Sequence, residues 1–223
     1  MIPPCECGLS YVRGNDEDEA LHRGIHDAFM SGPSLPELSA AEPVGRIDSF
    51  GIVRVSNESP QRERVDAAQL ALVANREMSG YKSGYDGSIS DPPLTVWALL
   101  DGERAIGFVL MGETERSWRL RWVSPNRATL ISHYADSERR HVVARVWIAA
   151  SYRRQGLARQ LLHFCIDSAG TTAASVTFQL PFTPQGQRLV HSMLPDQWFG
   201  DGDAFDLDGV LRPPVDEHSI SNS

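Results

Sequence analysis

The sequence predicts an α/β fold in which helices flank a sheet and a small metal-binding module precedes it. From residue 44 onward, short β-like runs alternate with segments of helical spacing. Before that point, two cysteines and two histidines are clustered within the first 31 residues. A chain of 223 residues, 41% of them hydrophobic, is long enough for one well-packed core with a small appendage.

Composition excludes several classes of protein. The formal net charge of −8 argues against nonspecific phosphate binding, and no direct sequence-specific contact with nucleic acid is expected. Three cysteines are too few and too unevenly spaced for a disulfide framework, which favours a reducing compartment. The first residues lack a basic start followed by an apolar run, and no stretch approaches the roughly 18 apolar residues of a membrane helix. We therefore expect a soluble intracellular protein that does not enter a membrane.

Composition also predicts how the chain is divided. Residues 1–31 form the candidate metal module, and 32–43, rich in Ser, Pro and Ala, are predicted to be a linker. The main domain is expected over 44–212, and 213–223, rich in Pro, Ser and charge, are predicted to be a loose tail.

The main domain is predicted to begin with two β-like runs that enclose a helix. The runs are Arg46 to Val55 and Leu94 to Leu100. Between them, before Gly80, helical spacing puts several apolar residues on one face. These are Val65, Ala68, Ala71 and Leu72.

A β-hairpin is predicted next. Asp101-Gly102 is a turn signal between the apolar runs Thr95–Leu100 and Ala105–Met111. Residues 113–139 are polar and irregular, with a strand or two expected around Trp118 to Val123.

A strand, a turn and a helix follow. The nearly unbroken apolar run from Val142 to Ala149 predicts a central buried strand. Leu157 to Ile166 then shows helical spacing up to Gly170.

The turn between that strand and helix carries an anion-binding pattern. A glycine lets the backbone approach an anion, and the first free N–H groups of a helix point toward it with a favourable dipole. The residues of the turn are Arg153, Arg154, Gln155, Gly156, Leu157 and Ala158. This segment resembles the [Q/R]-x-x-G-x-[G/A] loop of the GNAT acetyltransferases, which implies that it holds the pyrophosphate of acetyl-CoA. An ordinary strand-to-helix turn with solvated arginines is the alternative interpretation.

Further segments resemble the cohesion-establishment acetyltransferases of that superfamily. Arg145-Val146-Trp147-Ile148 is similar to the family's Arg-Ile-Trp-Val strand, and two arginines open the loop in both. Thr183-Pro184-Gln185-Gly186 followed by Leu189 resembles its Thr-Pro-x-Gly segment, and Trp198-Phe199-Gly200 with Phe205 resembles its closing aromatic strand. The resemblance implies a mixed, twisted sheet splayed at the central strand, with CoA in the splay beside Val146, Trp147 and Ile148.

The clustered cysteines and histidines resemble the same family's zinc finger. Fourteen residues separate Cys7 from His22 and three separate His22 from His26, which puts both histidines on one helix face. Two thiolates and two imidazoles complete a tetrahedron around zinc, and the metal would supply the folding energy that about thirty residues lack. Only one residue separates Cys5 from Cys7, where the family has two, so this spacing is expected to weaken the site. Surface histidines beside chance cysteines are the alternative.

The residues that the resemblance assigns to catalysis are missing. The family's serine, glutamate and aspartate are replaced by Ala144, by His163, and by Leu180 or Pro181. A histidine can accept a proton near neutral pH, so His163 is the candidate base, although a lone helix histidine is more often structural.

The resemblance implies a protein-lysine N-acetyltransferase that uses acetyl-CoA. Its expected substrate is the third SMC subunit of cohesin, modified in the nucleus to establish sister-chromatid cohesion, and chromatin-associated replication or cohesin factors are further candidate partners. One alternative is an adaptor that keeps the fold without catalysis. Another is a small-molecule N-acetyltransferase, which leaves the finger and the closing segments unexplained.

Overall fold

The chain folds into two compact units in a computed structural model. The first unit comprises Met1–Gly112 with Ala144–Cys165, and the second comprises Glu113–Val143 with Ile166–Ser223. The residues that the structure describes are 5–7, 9–77, 85–90, 93–115, 117–124, 127–134, 139–180 and 182–201. The predicted tail, 213–223, lies outside these residues.

The first unit holds most of the helices. Its elements are α1 (Asp16–Ser31), α2 (Pro36–Ser39), β1 (Gly45–Ile47), β2 (Phe50–Val55), α3 (Gln61–Glu77), β3 (Thr95–Asp101), most of β4 (Arg104–Thr114), a 3₁₀ turn (Ala150–Tyr152) and most of α4 (Leu157–Ser168). The second unit contains β5 (Ser117–Ser124), β6 (Arg127–Tyr134), β8 (Thr177–Gln179), α5 (Pro184–Met193) and β9 (Gln197–Asp201). The strand β7 (Arg140–Ile148) contributes residues to both units.

The sheet of the first unit is built from antiparallel neighbours. Strands β1, β2, β3 and β4 pair in that order, and the second half of β7 lies beside β4. The predicted hairpin is confirmed, because β3 and β4 pair across Asp101-Gly102 and Gly102 has a φ of 56°. The predicted strand Arg46–Val55 is wrong as one element. Asp48 adopts a φ of 51°, and the run turns there into the β1–β2 hairpin.

The helix α3 covers this sheet through a face of small side chains. Ala67, Leu70 and Ala74 have exposed fractions of 1%, 0% and 0%. The predicted face is correct for Ala68 and Ala71, which are also buried. It is wrong for Val65 and Leu72, which are 44% and 55% exposed, because the buried stripe follows the alanines.

The segment predicted to be a linker is part of the packed core. Leu35 and Leu38 are 1% and 0% exposed. Asp66 of α3 caps α2, since its carboxylate accepts hydrogen bonds from the N–H groups of Glu37 at 2.9 Å and Leu38 at 3.3 Å. The linker prediction is therefore wrong over 32–43, because apolar side chains among the Ser and Pro residues find a buried surface. The boundary between a metal module and the main domain stays a prediction.

The second unit contains a mixed sheet. Strand β8 pairs in parallel with the first half of β7 and with β9, and β9 then pairs antiparallel with β5. The strand or two expected around Trp118 to Val123 correspond to β5, which covers these residues, and to β6, which follows it and pairs with it antiparallel. Trp122 and Trp198 stack with ring centroids 5.1 Å apart, and His191 of α5 packs edge-on against Trp122. The mixed sheet with flanking helices confirms the predicted fold class.

Among the described residues, none of the helices has the length and apolar character to cross a membrane.

Candidate functional site

The loop between the 3₁₀ turn and α4 is shaped by two residues in the left-handed region. Arg154 has a φ of 63° and Gly156 a φ of 80°. The space beside Gly156 is open, since the nearest atom to a Cβ built there would be Gln160 Nε2 at 3.7 Å. Glycine is therefore favoured by the backbone conformation, and the open space is available to a ligand.

Three backbone donors at the start of α4 have no partner among the described residues. The carbonyl of Gly156 accepts hydrogen bonds from the N–H groups of Arg159 and Gln160, both at 3.1 Å, and this starts α4. Within the described part of the chain, the N–H groups of Gly156, Leu157 and Ala158 have no hydrogen-bond acceptor. Three free donors at the start of a 12-residue helix form a cradle for an anion such as a pyrophosphate.

The two arginines of the loop have different surroundings. The Nε of Arg153 donates to the carbonyl of Ile148 at 2.8 Å, and its guanidinium carbon lies 5.2 Å from the ring centroid of Phe29. Arg154 is exposed, as is Gln155, whose side-chain amide donates to the carbonyl of Ser151 at 3.3 Å. The exposed guanidinium of Arg154 is therefore accessible to a bound anion.

The 3₁₀ turn before the loop is anchored by a tyrosine. The hydroxyl of Tyr152 donates to Asp101 Oδ2 at 2.8 Å, and its ring packs edge-on against Phe50 with centroids 5.9 Å apart. The hydrogen bond to Asp101 raises the pKa of Tyr152, and burial adds to the effect. The loop thus starts from a turn that is held to the β3–β4 hairpin.

Side chains at the end of β7 pack inward. Trp147 and Ile148 are 4% and 7% exposed, and the ring of Trp147 lies 6.3 Å from that of Phe108. Val146 is half-buried. In this unit, Trp147 and Ile148 can therefore offer a ligand mainly their backbone groups.

The positions that the family uses for catalysis carry no carboxylate or hydroxyl. Ala144 is half-buried and Leu180 is buried, while Pro181 lies outside the described residues. His163 is exposed on α4, next to the fully buried Leu161 and Leu162. Its side chain is accessible to solvent, as a base that exchanges protons with water requires.

The four predicted metal ligands come together in the first unit. One ligand atom each from Cys5, Cys7, His22 and His26 lies within 4.8 Å of the others. Cys5 Sγ is 3.2 Å from His26 Nδ1. Since the single residue between the cysteines still lets both thiols reach the group, the short spacing is compatible with a shared ion.

The surroundings of these ligands fit a cation that takes two thiolates and two imidazoles. The Nε2 atom of His22 is buried without a hydrogen-bond partner among the described residues, which a metal bond would satisfy. Burial raises the pKa of Cys7, which is 2% exposed, and a bound cation would offset the cost of its thiolate. Tyr11 stacks on His22 with ring centroids 3.9 Å apart and holds the ring in place.

The helix α1 places both histidines. Asn15 caps it by accepting hydrogen bonds from the N–H groups of Glu17 and Asp18. His22 and His26 are one turn apart, with ring centroids separated by 5.5 Å.

Two more segments of the predicted resemblance lie at the start of α5 and in β9. Thr183 caps α5, with its hydroxyl accepting from the N–H of Gly186 at 3.1 Å. Trp198 is buried in β9, and Phe205 lies outside the described residues. Sequence patterns did not predict the roles of Phe29 and Tyr152, which belong to no motif, or the hydrogen bond of Asp101 to Tyr152 beyond its predicted place in the hairpin turn.

Comparison with known proteins identifies the family of this chain. Residues 62–187 match the profile of the acetyltransferase (GNAT) family. The chain is 23% identical over 168 residues to N-acetyltransferase eso1 of Schizosaccharomyces pombe, covering 70% of this chain and 19% of that protein. It is 24% identical over 161 residues to N-acetyltransferase eco of Drosophila melanogaster, covering 70% of this chain and 14% of that protein. It thus spans about a fifth or less of the length of these relatives.

A solved structure shares the fold. The xEco2 acetyltransferase domain bound to a K105-CoA conjugate superimposes with a TM-score of 0.56 at 17% identity, covering 73% of this chain and 99% of that one. The predicted resemblance to Eco-type N-acetyltransferases is confirmed by eso1 and eco.

Proposed function

Because the chain belongs to the acetyltransferase (GNAT) family, we propose that it transfers acetyl groups from acetyl-CoA to a protein lysine. The observation that carries the proposal is the row of N–H groups of Gly156, Leu157 and Ala158 at the start of α4, which have no acceptor in the part of the chain that the structure describes. These donors would hold the pyrophosphate, and the exposed Arg154 would add positive charge. Bound acetyl-CoA would supply the activated acetyl thioester.

The acceptor lysine must then lose a proton before it can attack the thioester. A lysine with a pKa of about 10.4 is neutral in only about one molecule in a thousand near neutral pH, so a base or a desolvating pocket is required. His163, exposed on α4, is the residue that we propose as the base. A backbone N–H near Val146–Ile148 on β7 would stabilise the oxyanion.

The role of His163 is tested by its replacement. We expect His163→Ala to lower kcat by a factor of about 10²–10⁴ with little change in acetyl-CoA affinity. If kcat fell by less than about fivefold while the melting temperature stayed unchanged, His163 would not be the base, and water or groups of the substrate would accept the proton instead.

We propose the third SMC subunit of cohesin as the substrate and the nucleus as the site of action. The resemblance to eso1 and eco supports this choice, as does the xEco2 structure, whose ligand joins a lysine to CoA. Chromatin-associated replication or cohesin factors are the partners that such a reaction would involve.

We also propose that Cys5, Cys7, His22 and His26 bind a structural zinc ion. The grouped ligand atoms and the unpartnered Nε2 of His22 support this assignment. With four protein ligands no position is left open for a substrate, so the metal would stabilise the fold.

One observation favours a second function. Ala144 stands where the resemblance implies a serine, and Leu180 or Pro181 stands where it implies an aspartate. A chain that binds acetyl-CoA without transferring its acetyl group would serve as an adaptor.

One experiment separates the two functions. The pure protein is incubated with labelled acetyl-CoA and cohesin SMC head domains, and modified residues are identified by mass spectrometry. We expect acetyl-lysine that requires the enzyme and is absent with Gly156→Glu. Tight acetyl-CoA binding without any transfer would identify the adaptor, and no binding by the folded parent would reject both functions.

A further inference from the structure

We propose that Arg153 is a positioning residue that fastens the loop to α1 and does not itself contact the phosphates of acetyl-CoA. This inference rests on the proposed function. It assigns to Arg153 a role different from the one that the loop pattern predicts, and it gives the adjacent Arg154 the direct electrostatic role.

The contacts of Arg153 connect two segments far apart in the sequence. Its Nε–H donates to the carbonyl of Ile148 at 2.8 Å, which closes the five-residue path from the end of β7 into the loop. One face of its planar guanidinium lies over Phe29, at 5.2 Å from the ring centroid. Phe29 is 5% exposed in the last turns of α1, so the partner ring is itself held by packing.

The end of α1 gives Phe29 a fixed position. Arg104 of β4 donates to Asp27 at 2.9 Å and to the carbonyl of Gly32 at 2.8 Å. A Cβ on Gly32 would overlap the carbonyl of Ala105, so the helix ends in direct contact with β4. The ring of Phe29 is therefore a rigid support for Arg153.

The loop needs such a support because its donors are backbone groups. The N–H groups of Gly156, Leu157 and Ala158 can hold an anion only while the backbone keeps its left-handed turns at Arg154 and Gly156. Fixing the residue before these turns reduces the ordering that ligand binding must otherwise impose. Arg153 is well suited to this, since an arginine can donate from Nε and stack at the same time, whereas a lysine cannot.

The test compares Arg153→Met, Arg153→Lys and Phe29→Leu with the parent, and Arg23→Met is the matched control because Arg23 is exposed on α1. Calorimetry measures the Kd for acetyl-CoA at low and moderate salt. We expect Arg153→Met and Arg153→Lys to raise Kd to a similar extent, about tenfold, with the salt dependence of the parent. We expect Phe29→Leu to raise Kd by about threefold and to add little in combination with Arg153→Met, because both changes break one support.

The proposal would be overturned if Arg153→Lys bound acetyl-CoA with the Kd of the parent. It would also be overturned if binding by Arg153→Met depended less on salt than binding by the parent. Either result would mean that the charge of residue 153 contacts the phosphates directly. Fully additive effects of Phe29→Leu and Arg153→Met would also overturn it. Hydrogen exchange needs no ligand: we expect faster exchange over 153–158 in Arg153→Met and not in Arg23→Met, and unchanged exchange would contradict the proposal. If the folded parent does not bind acetyl-CoA, the proposed function fails, and the exchange data still decide whether Arg153 orders the loop.

Discussion

The metal cluster and the loop before α4 lie in the same unit but are built in opposite ways. The cluster consists of side chains, namely two thiols and two imidazoles within 4.8 Å of one another. The loop consists of backbone, with N–H groups at Gly156, Leu157 and Ala158 that no described residue accepts from. A side-chain site is destroyed by removing one group, whereas a backbone site is destroyed by adding one. The two sites should therefore respond to opposite kinds of substitution.

The largest effect is expected from an addition at the loop. Gly156→Glu puts a side chain and a negative charge into the open space beside the free N–H groups, so acetyl-CoA affinity should fall by at least about a hundredfold. Calorimetry with acetyl-CoA measures the loss. Gly170→Glu is the matched control, because Gly170 also has a positive φ, 68°, and open space around it, at the opposite end of α4.

Both glutamate variants should lose similar stability, about 1–2 kcal/mol, from the left-handed backbone, which thermal unfolding can verify. Only Gly156→Glu should lose its affinity for acetyl-CoA. Parent-like affinity in a folded Gly156→Glu protein would mean that this loop is not the anion cradle.

The next effect is expected from removals at the cluster. Cys7→Ser and His22→Ala should each release the metal, and metal analysis should find one zinc per parent chain. Residues 5–31 should then exchange hydrogen faster, and acetyl-CoA should bind about tenfold more weakly, since α1 carries Phe29 beneath Arg153. His163→Ala is the control, because His163 lies outside the cluster and should retain the zinc. A metal-free parent purified under reducing conditions would show that the one-residue spacing between Cys5 and Cys7 has disabled the site.

A smaller effect tests the backbone that supports the loop. A Cβ on Gly107 of β4 would lie 2.9 Å from the carbonyl oxygen of Trp147 and would overlap Ile148. Gly107→Ala should therefore lower the free energy of unfolding by about 1–3 kcal/mol, measured by denaturant titration. Gly24→Ala on α1 meets no atom within 4 Å and should instead stabilise the protein by about 0.5–1 kcal/mol. Equal effects at the two glycines would contradict the close contact of β4 with β7.

The smallest effect concerns the anchor of the 3₁₀ turn. Tyr152 donates to Asp101 only while its phenol is protonated, and this bond raises the pKa of Tyr152 in the folded protein. The stability gained from the bond is thus fully present below the unfolded pKa of about 10 and is lost as pH rises through the higher folded pKa. Tyr152→Phe should cost about 0.5–1 kcal/mol at pH 7–9, and the difference from the parent should shrink above about pH 10. If the stability difference between Tyr152→Phe and the parent stayed constant up to pH 11, it would come from changed packing and not from the hydrogen bond to Asp101.

Sequence patterns predicted the features that depend on neighbours in the chain. The β3–β4 hairpin follows from Asp101-Gly102, and the start of α4 follows from a glycine placed between an apolar strand and an amphipathic helix. The grouping of His22 with His26 follows from helical spacing. Each is a local signal with a direct geometric consequence.

The features that sequence patterns missed depend on contacts made only in the folded chain. Residues 32–43 resemble a linker in composition, and only the cap from Asp66 and the burial of Leu35 and Leu38 show that they are packed. Val65 and Leu72 fit a helical stripe, but the sheet accepts the smaller alanine face of α3. The inward orientation of Arg153 depends on Phe29, which precedes it by more than a hundred residues.

The claim that the loop cradles a pyrophosphate is tested most directly by comparing two ligands. Acetyl-CoA and S-acetylpantetheine share the acetyl thioester arm, but only acetyl-CoA carries the pyrophosphate and the nucleotide. We expect the parent to bind acetyl-CoA at least about a hundredfold more tightly than S-acetylpantetheine, and we expect Gly156→Glu to remove that difference with little change in S-acetylpantetheine binding. If Gly156→Glu kept the full preference for acetyl-CoA, the N–H groups at the start of α4 would not be the pyrophosphate site.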